Sequence, residues 1–107
     1  MSSVNTEFSP TYFRSIFGDD AMEWQSFIEV NVRTFSQGLE RLRQATDALD
    51  METVSEVRHA MGPSLKQWGT ISLEAQLMGL DSGNLVEQWP GIEGALRDLI
   101  SAMEKLS

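Results

Sequence analysis

His59 is the only histidine of this chain, in the segment Val54-Ser55-Glu56-Val57-Arg58-His59-Ala60-Met61-Gly62-Pro63-Ser64-Leu65-Lys66-Gln67-Trp68-Gly69. An imidazole titrates near neutral pH, so it can take up a proton, release one or attack as a nucleophile. The segment has helical periodicity. At about 100° per residue, Val54, Val57, Met61, Leu65 and Trp68 fall in one arc, which is a buried stripe, and His59 points roughly 160° away from it, toward water. Glu52, Ser55, Glu56, Gly62, Pro63 and Lys66 share the histidine's face. Lys66 is two turns on and within roughly 20° of His59, whereas Arg58 is about 100° round the helix. Gly62 and Pro63 carry little bulk, so a flat patch beside the imidazole leaves room for another protein. The same geometry also describes an incidental surface histidine beside a helix kink, with Lys66 a solvated charge.

Other chemistries find few residues. The chain has no cysteine, which removes disulfides, thiolate nucleophiles and cysteine metal sites. Glu56-Val57-Arg58-His59 has the Glu-x-x-His spacing of a diiron bundle once, but there is no second histidine to complete it. The acids are spread as helix-surface charge without the spacing of a calcium loop, and no glycine-rich phosphate loop occurs. No metal and no cofactor is expected. Trp24 and Trp68 fall on apolar stripes and read as core, and Trp89 before Pro90 reads as a lid over a bundle end.

The 107 residues suffice for one domain with one core, and the formal net charge is −8. A surface this acidic repels phosphate backbones and anionic bilayers, which argues against nucleic-acid and membrane partners. No run of about 18 apolar residues and no basic-then-apolar leader is found, so a cytoplasmic protein is expected. Met1 and a helix running to the C-terminus favour a free-standing chain over an excised domain.

The elements that must position His59 can be read from spacing. Residues 1–8 form a polar, frayed N-terminus, and 9–107 form the domain. Ser9 should cap a short helix with Pro10 at its first position, Phe8 and Phe13 acting as a hydrophobic staple, and Gly18 ending it. Asp20 with Glu23 opens a long helix whose stripe is Trp24, Phe27, Ile28, Val32, Phe35, Leu39 and Leu42, to about Ala48. Gly38 weakens this helix slightly. Asp50 caps the His59 helix, Pro63 bends it and Gly69 closes it. Thr70 caps a fourth helix through Ile71, Leu73, Leu77 and Met78. After the turn Asp81-Ser82-Gly83-Asn84, a last helix begins between Leu85 and Gly91 with the stripe Ile92, Leu96, Leu99, Met103 and Leu106. No strand alternation occurs. The expected fold is all-α, an antiparallel up-down four-helix bundle with a short extra N-terminal helix.

In this layout, His59-Ala60-Met61-Gly62-Pro63-Ser64 followed by Gly69 resembles the histidine phosphotransfer (HPt) domain family, with its motif H-x-x-K-G-[SA] and a further glycine ten residues after the histidine. His59 matches the phosphorylated histidine, Ser64 the small residue and Gly69 the distal glycine. The family's lysine is Gly62 here and its glycine is Pro63. The resemblance covers nearly the whole chain. It implies a cytoplasmic phosphorelay carrier, not a self-contained enzyme, relaying a phosphoryl group between receiver-domain aspartates through His59. Its partners would be a response-regulator receiver domain, a hybrid sensor histidine kinase, or both. Lys66 and Arg58 are candidates to stabilise the phosphoryl group in place of the missing lysine. Ser55, Glu56, Gly62, Pro63 and Lys66 are candidates for partner docking. The alternative is an HPt-like module that binds a receiver or kinase without accepting phosphate.

Overall fold

The computed structural model describes residues 8–106, so the stretch expected to be frayed lies, except for Phe8, outside the described residues. Five helices follow one another: α1 (Thr11–Phe17), α2 (Ala21–Ala48), α3 (Met51–Gln67), α4 (Ile71–Met78) and α5 (Leu85–Glu104). There is no strand among the described residues. Helices α2 to α5 form an antiparallel four-helix bundle, and the short α1 packs on α2. None of the helices is long and apolar enough to cross a membrane.

The antiparallel order is visible in which residues meet. Positions rise along α2 as they fall along α3: Asn31 Oδ1 accepts from Trp68 Nε1 at 3.2 Å, Gly38 faces Met61, and Arg41 pairs with Glu56 at 3.1 Å. On the other side, Trp24 Nε1 near the start of α2 donates to the Leu106 carbonyl beyond α5 at 3.2 Å, and farther along Glu40 and Arg43 lie in the fields of Arg97 and Glu93. Gly38 has a packing role that propensity does not reveal. A Cβ there would overlap Met61 Cε, the mobile end of that side chain, so the glycine makes room for the methionine methyl between α2 and α3.

The apolar stripes meet in the interior, with Phe27 and Val32 of α2 only partly covered and Ile71 and Met78 of α4 exposed. Ile28, Phe35 and Leu42 of α2 meet Val54, Val57 and Leu65 of α3, Leu73 and Leu77 of α4, and Ile92, Leu96, Leu99 and Met103 of α5 in one core. Trp89 belongs to the α5 stripe between Leu85 and Ile92 and is buried there. Trp68 joins the last turn of α3 to α1. It is fully buried, stacked on Phe8 at 5.5 Å and tilted against Phe13 at 4.6 Å.

Helix ends depart from expectation in two places. Helix α1 starts at Thr11 with Pro10 at the cap position, and no side chain caps it. Ser9 instead gives its backbone N–H to the Trp68 carbonyl at 2.9 Å, so this segment is tied to the end of α3, and Phe8 and Phe13 meet on Trp68. Thr70 stands at the start of α4 without capping it; its hydroxyl donates back to the Leu65 carbonyl at 2.8 Å and closes α3. Helix α5 starts at Leu85, at the early limit of the expected range and more than a turn before Pro90. Pro90 therefore lies inside the helix, where its missing N–H leaves the Val86 carbonyl without an intrahelical donor, and the helix nevertheless runs through it.

The remaining caps are as the residue types demand. Asp20 accepts from the Glu23 N–H at 3.0 Å, and Asp81 Oδ1 accepts from the Gly83 and Asn84 amides at 2.8 and 2.9 Å, which makes the turn before α5. At the start of α3, Asp50 accepts from the Thr53 amide at 3.2 Å and the Thr53 hydroxyl at 2.6 Å. The hydroxyl bond, then the amide bond, hold the Asp50 carboxyl below its usual range. Both ends of the α2–α3 hairpin use the same closing geometry. Gly69, at φ 82°, gives its N–H to Lys66 while Thr70 bonds Leu65. Leu49, at φ 54°, does the same with Thr46 while Asp50 bonds Ala45.

Candidate functional site

His59 stands midway along α3 with its side chain exposed, on the face opposite Val54, Val57, Met61 and Leu65, which are buried. The helix is anchored at both ends, by the Asp50 cap and by the Gly69–Thr70 closure, and along its length by the core stripe. Helix α3 continues unbroken through Pro63, which leaves the His59 carbonyl without its intrahelical amide one turn on. Among the described residues, His59 makes no hydrogen bond or ion pair. Its ring nitrogens are therefore both open to a partner.

The imidazole borders a groove of about 270 Å³ between α3 and α4. Pro63 and Lys66 continue the α3 wall, and Glu74 and Met78 of α4 form the other. Gly62 is buried at the base, where a Cβ would meet Met78 Sδ at 3.8 Å, an ordinary contact distance. The small residue at 62 thus opens onto α4 rather than onto solvent. Lys66 Nζ lies 3.9 Å from Glu74 Oε1, at the outer edge of an ion pair, with its side chain 67% exposed. Arg58 lines the same groove but is tied down: Nη1 donates to the Leu80 carbonyl at 2.6 Å, and Nε is buried without a hydrogen-bond partner. Arg58 and Lys66 make this a locally cationic spot on a chain of net charge −8, with Glu74 as the opposing charge.

The sequence-predicted residues are therefore only partly brought together. His59, Arg58, Gly62, Pro63 and Lys66 share the groove, while Ser55 and Glu56 do not line it. Ser55 is half-buried, and Glu56 is exposed and turned to α2, where it pairs with Arg41. Ser64 lines a separate cavity of about 140 Å³ on the α2 side, with Gly38 and Met61. Glu74 and Met78 were not anticipated as site residues. Their signal was the hairpin about Gly69 and Thr70: folding α4 back on α3 sets Glu74 beside Lys66 and Met78 beside Gly62.

Larger surface depressions lie elsewhere, of about 640 Å³ by Arg14 and Trp24, about 510 Å³ by Met22 and Val30, and about 460 Å³ by Arg33 and Glu104. None of these contains a residue that could act as a nucleophile at neutral pH as an imidazole does. Among the described residues, no group of three or more His, Cys, Asp or Glu could hold a metal ion. No family model, curated protein or solved structure matches the chain.

Proposed function

We propose that this protein is a phosphoryl carrier of the histidine phosphotransfer type, with His59 as acceptor and donor. The observation that carries the reading is one exposed, unpartnered imidazole held midway along a rigid bundle helix, at the rim of a cationic groove. The unprotonated ring nitrogen attacks the phosphorus of an aspartyl phosphate on a receiver domain. A P–N bond forms and the P–O bond to the aspartate breaks, with the aspartate carboxylate leaving with the electron pair. The ring, now cationic, sheds the proton of its other nitrogen to water. The receiver supplies the acyl phosphate and its own divalent metal ion, so this chain need only position a nucleophile. The reverse transfer to a second receiver regenerates free His59. A cytoplasmic location and two-component signalling partners, a receiver domain or a hybrid sensor kinase, go with this reading.

A second reading draws on Gly62 and Pro63. With Gly62 where the family has its lysine, Lys66 is the mobile cation left to face a phosphoryl group, because Arg58 is engaged with Leu80. An HPt-like module that docks a receiver without accepting phosphate fits that feature. Incubation with a phosphorylated receiver domain separates the two. An acid-labile label on the wild type, absent from His59→Gln, supports the carrier. Binding without label supports the docking module, and neither binding nor label to any of a panel of receivers rejects both.

A further inference from the structure

Glu74 is the acidic wall of the His59 groove, and its carboxylate is poorly satisfied. Its side chain is 14% exposed, Oε2 is buried without a hydrogen-bond partner, and Oε1 has only the long 3.9 Å contact to Lys66 Nζ. Lys66 is mostly exposed and carries its charge on a flexible four-carbon stem, so this contact does not lock it. Helical side chains lean toward the helix N-terminus, which inclines Lys66 toward His59, about 10 Å earlier along the axis. A lysine stem and a phosphorylated imidazole together span that separation. Arg58 cannot compete for the role while its guanidinium donates to Leu80.

Resting on the phosphoryl-acceptor reading of His59, we propose that Glu74 is a positioning residue that shares Lys66 with the phosphoryl group and thereby sets how readily His59 gives that group up. With His59 unmodified, Lys66 offsets the Glu74 charge. On phosphorylation, the added charge of about −2 draws the ammonium away, and Glu74 is left as an uncompensated like charge in the same groove. Competition for the lysine and repulsion of the phosphoryl group act in the same direction. Both keep phospho-His59 high in free energy, which suits a group that must be passed on.

The test uses the full chain, a purified receiver domain and phosphoramidate as the first donor. The readout is the equilibrium of phosphoryl exchange between His59 and the receiver aspartate. Glu74→Gln keeps the shape and removes the charge, and should shift that equilibrium toward phospho-His59 by about threefold to fivefold, the scale of a partly exposed charge pair. Glu74→Asp, which keeps the charge, should stay near wild type. In a Lys66→Ala background the Glu74→Gln effect should fall to less than half, because only direct repulsion remains. An unchanged equilibrium in Glu74→Gln overturns the proposal even if the variant's Tm moves, and so does an undiminished effect without Lys66. If wild-type His59 takes no phosphoryl group from either donor, the functional reading itself falls, an outcome distinct from equal exchange by the two proteins.

Discussion

Replacing Leu49 by glycine should stabilise this protein, and the amount can be worked from the backbone. Leu49 sits at φ 54° and ψ 37°, the one non-glycine residue with positive φ among those described. The left-handed conformation costs an L-residue with a β-carbon about 1–2 kcal/mol. Leu49 is held there because its N–H bonds Thr46 and that of Asp50 bonds Ala45, which closes α2 and sets Asp50 up to cap α3. Glycine removes the strain and returns about 0.5–1 kcal/mol through its greater freedom in the unfolded chain. Little burial is lost: the side chain is 63% exposed, not far from its exposure in a compact unfolded ensemble. The net gain is about 0.5–1 kcal/mol, or roughly 2–8 °C in Tm for a domain of this size. Thermal unfolding by circular dichroism of wild type, Leu49→Gly and Leu49→Ala decides the matter. Alanine keeps the β-carbon and should show no such gain. A glycine variant no more stable than wild type and alanine would refute the strain argument.

Pro63→Ala restores the amide bond to the His59 carbonyl and should raise stability by up to ~3 kcal/mol, read from urea unfolding, since an interior proline costs about that much. Asp50→Ala should lower Tm at neutral pH. Because the folded Asp50 carboxyl titrates below its unfolded value, its contribution is present above about pH 4 and fades as pH falls through the folded value, so the gap between the two proteins should close on acidification. Trp68→Ala should cost about 3–5 kcal/mol, since it empties the junction of α1, α2 and α3 and strands Asn31, whereas His59→Gln should change stability by less than ~0.5 kcal/mol; equilibrium denaturation of the pair measures both. Lys66→Ala should shorten the lifetime of phospho-His59 by a few fold, followed by loss of the phosphohistidine resonance; an unchanged lifetime would remove Lys66 from the site.

Much of the bundle was legible because its signals are local and repeated. The three-and-four spacing of Trp24 to Leu42, of Val54 to Trp68 and of Ile92 to Met103 names buried faces without knowledge of what they pack against. Asp20 and Asp50 cap as their type and spacing suggest. What escaped depends on contacts between elements. Thr70 has the chemistry of a helix cap, but the Leu65 carbonyl at the closing end of α3 competes for its hydroxyl. Ile71 and Met78 look like core by hydrophobicity, yet are exposed because α4 is only two turns long and buries a narrow stripe, Leu73 and Leu77. Gly38 reads as a mild helix defect until Met61 is placed against it. At the site, the exposure of His59 followed from periodicity within one helix. The engagement of Arg58 by Leu80 and of Lys66 by Glu74 did not, because both cross from α3 to α4 or just beyond its end, and sequence spacing alone does not set that register.

A carrier must give as well as take. His59 phosphorylated with phosphoramidate and then mixed with a purified receiver domain provides the most direct test, followed by phosphorus NMR. The account predicts that the phosphohistidine signal disappears faster with the receiver than without it, while phosphoaspartate appears on the receiver in matching amount. Decay to inorganic phosphate alone, at the same rate with each of a panel of receivers as in buffer, would contradict it.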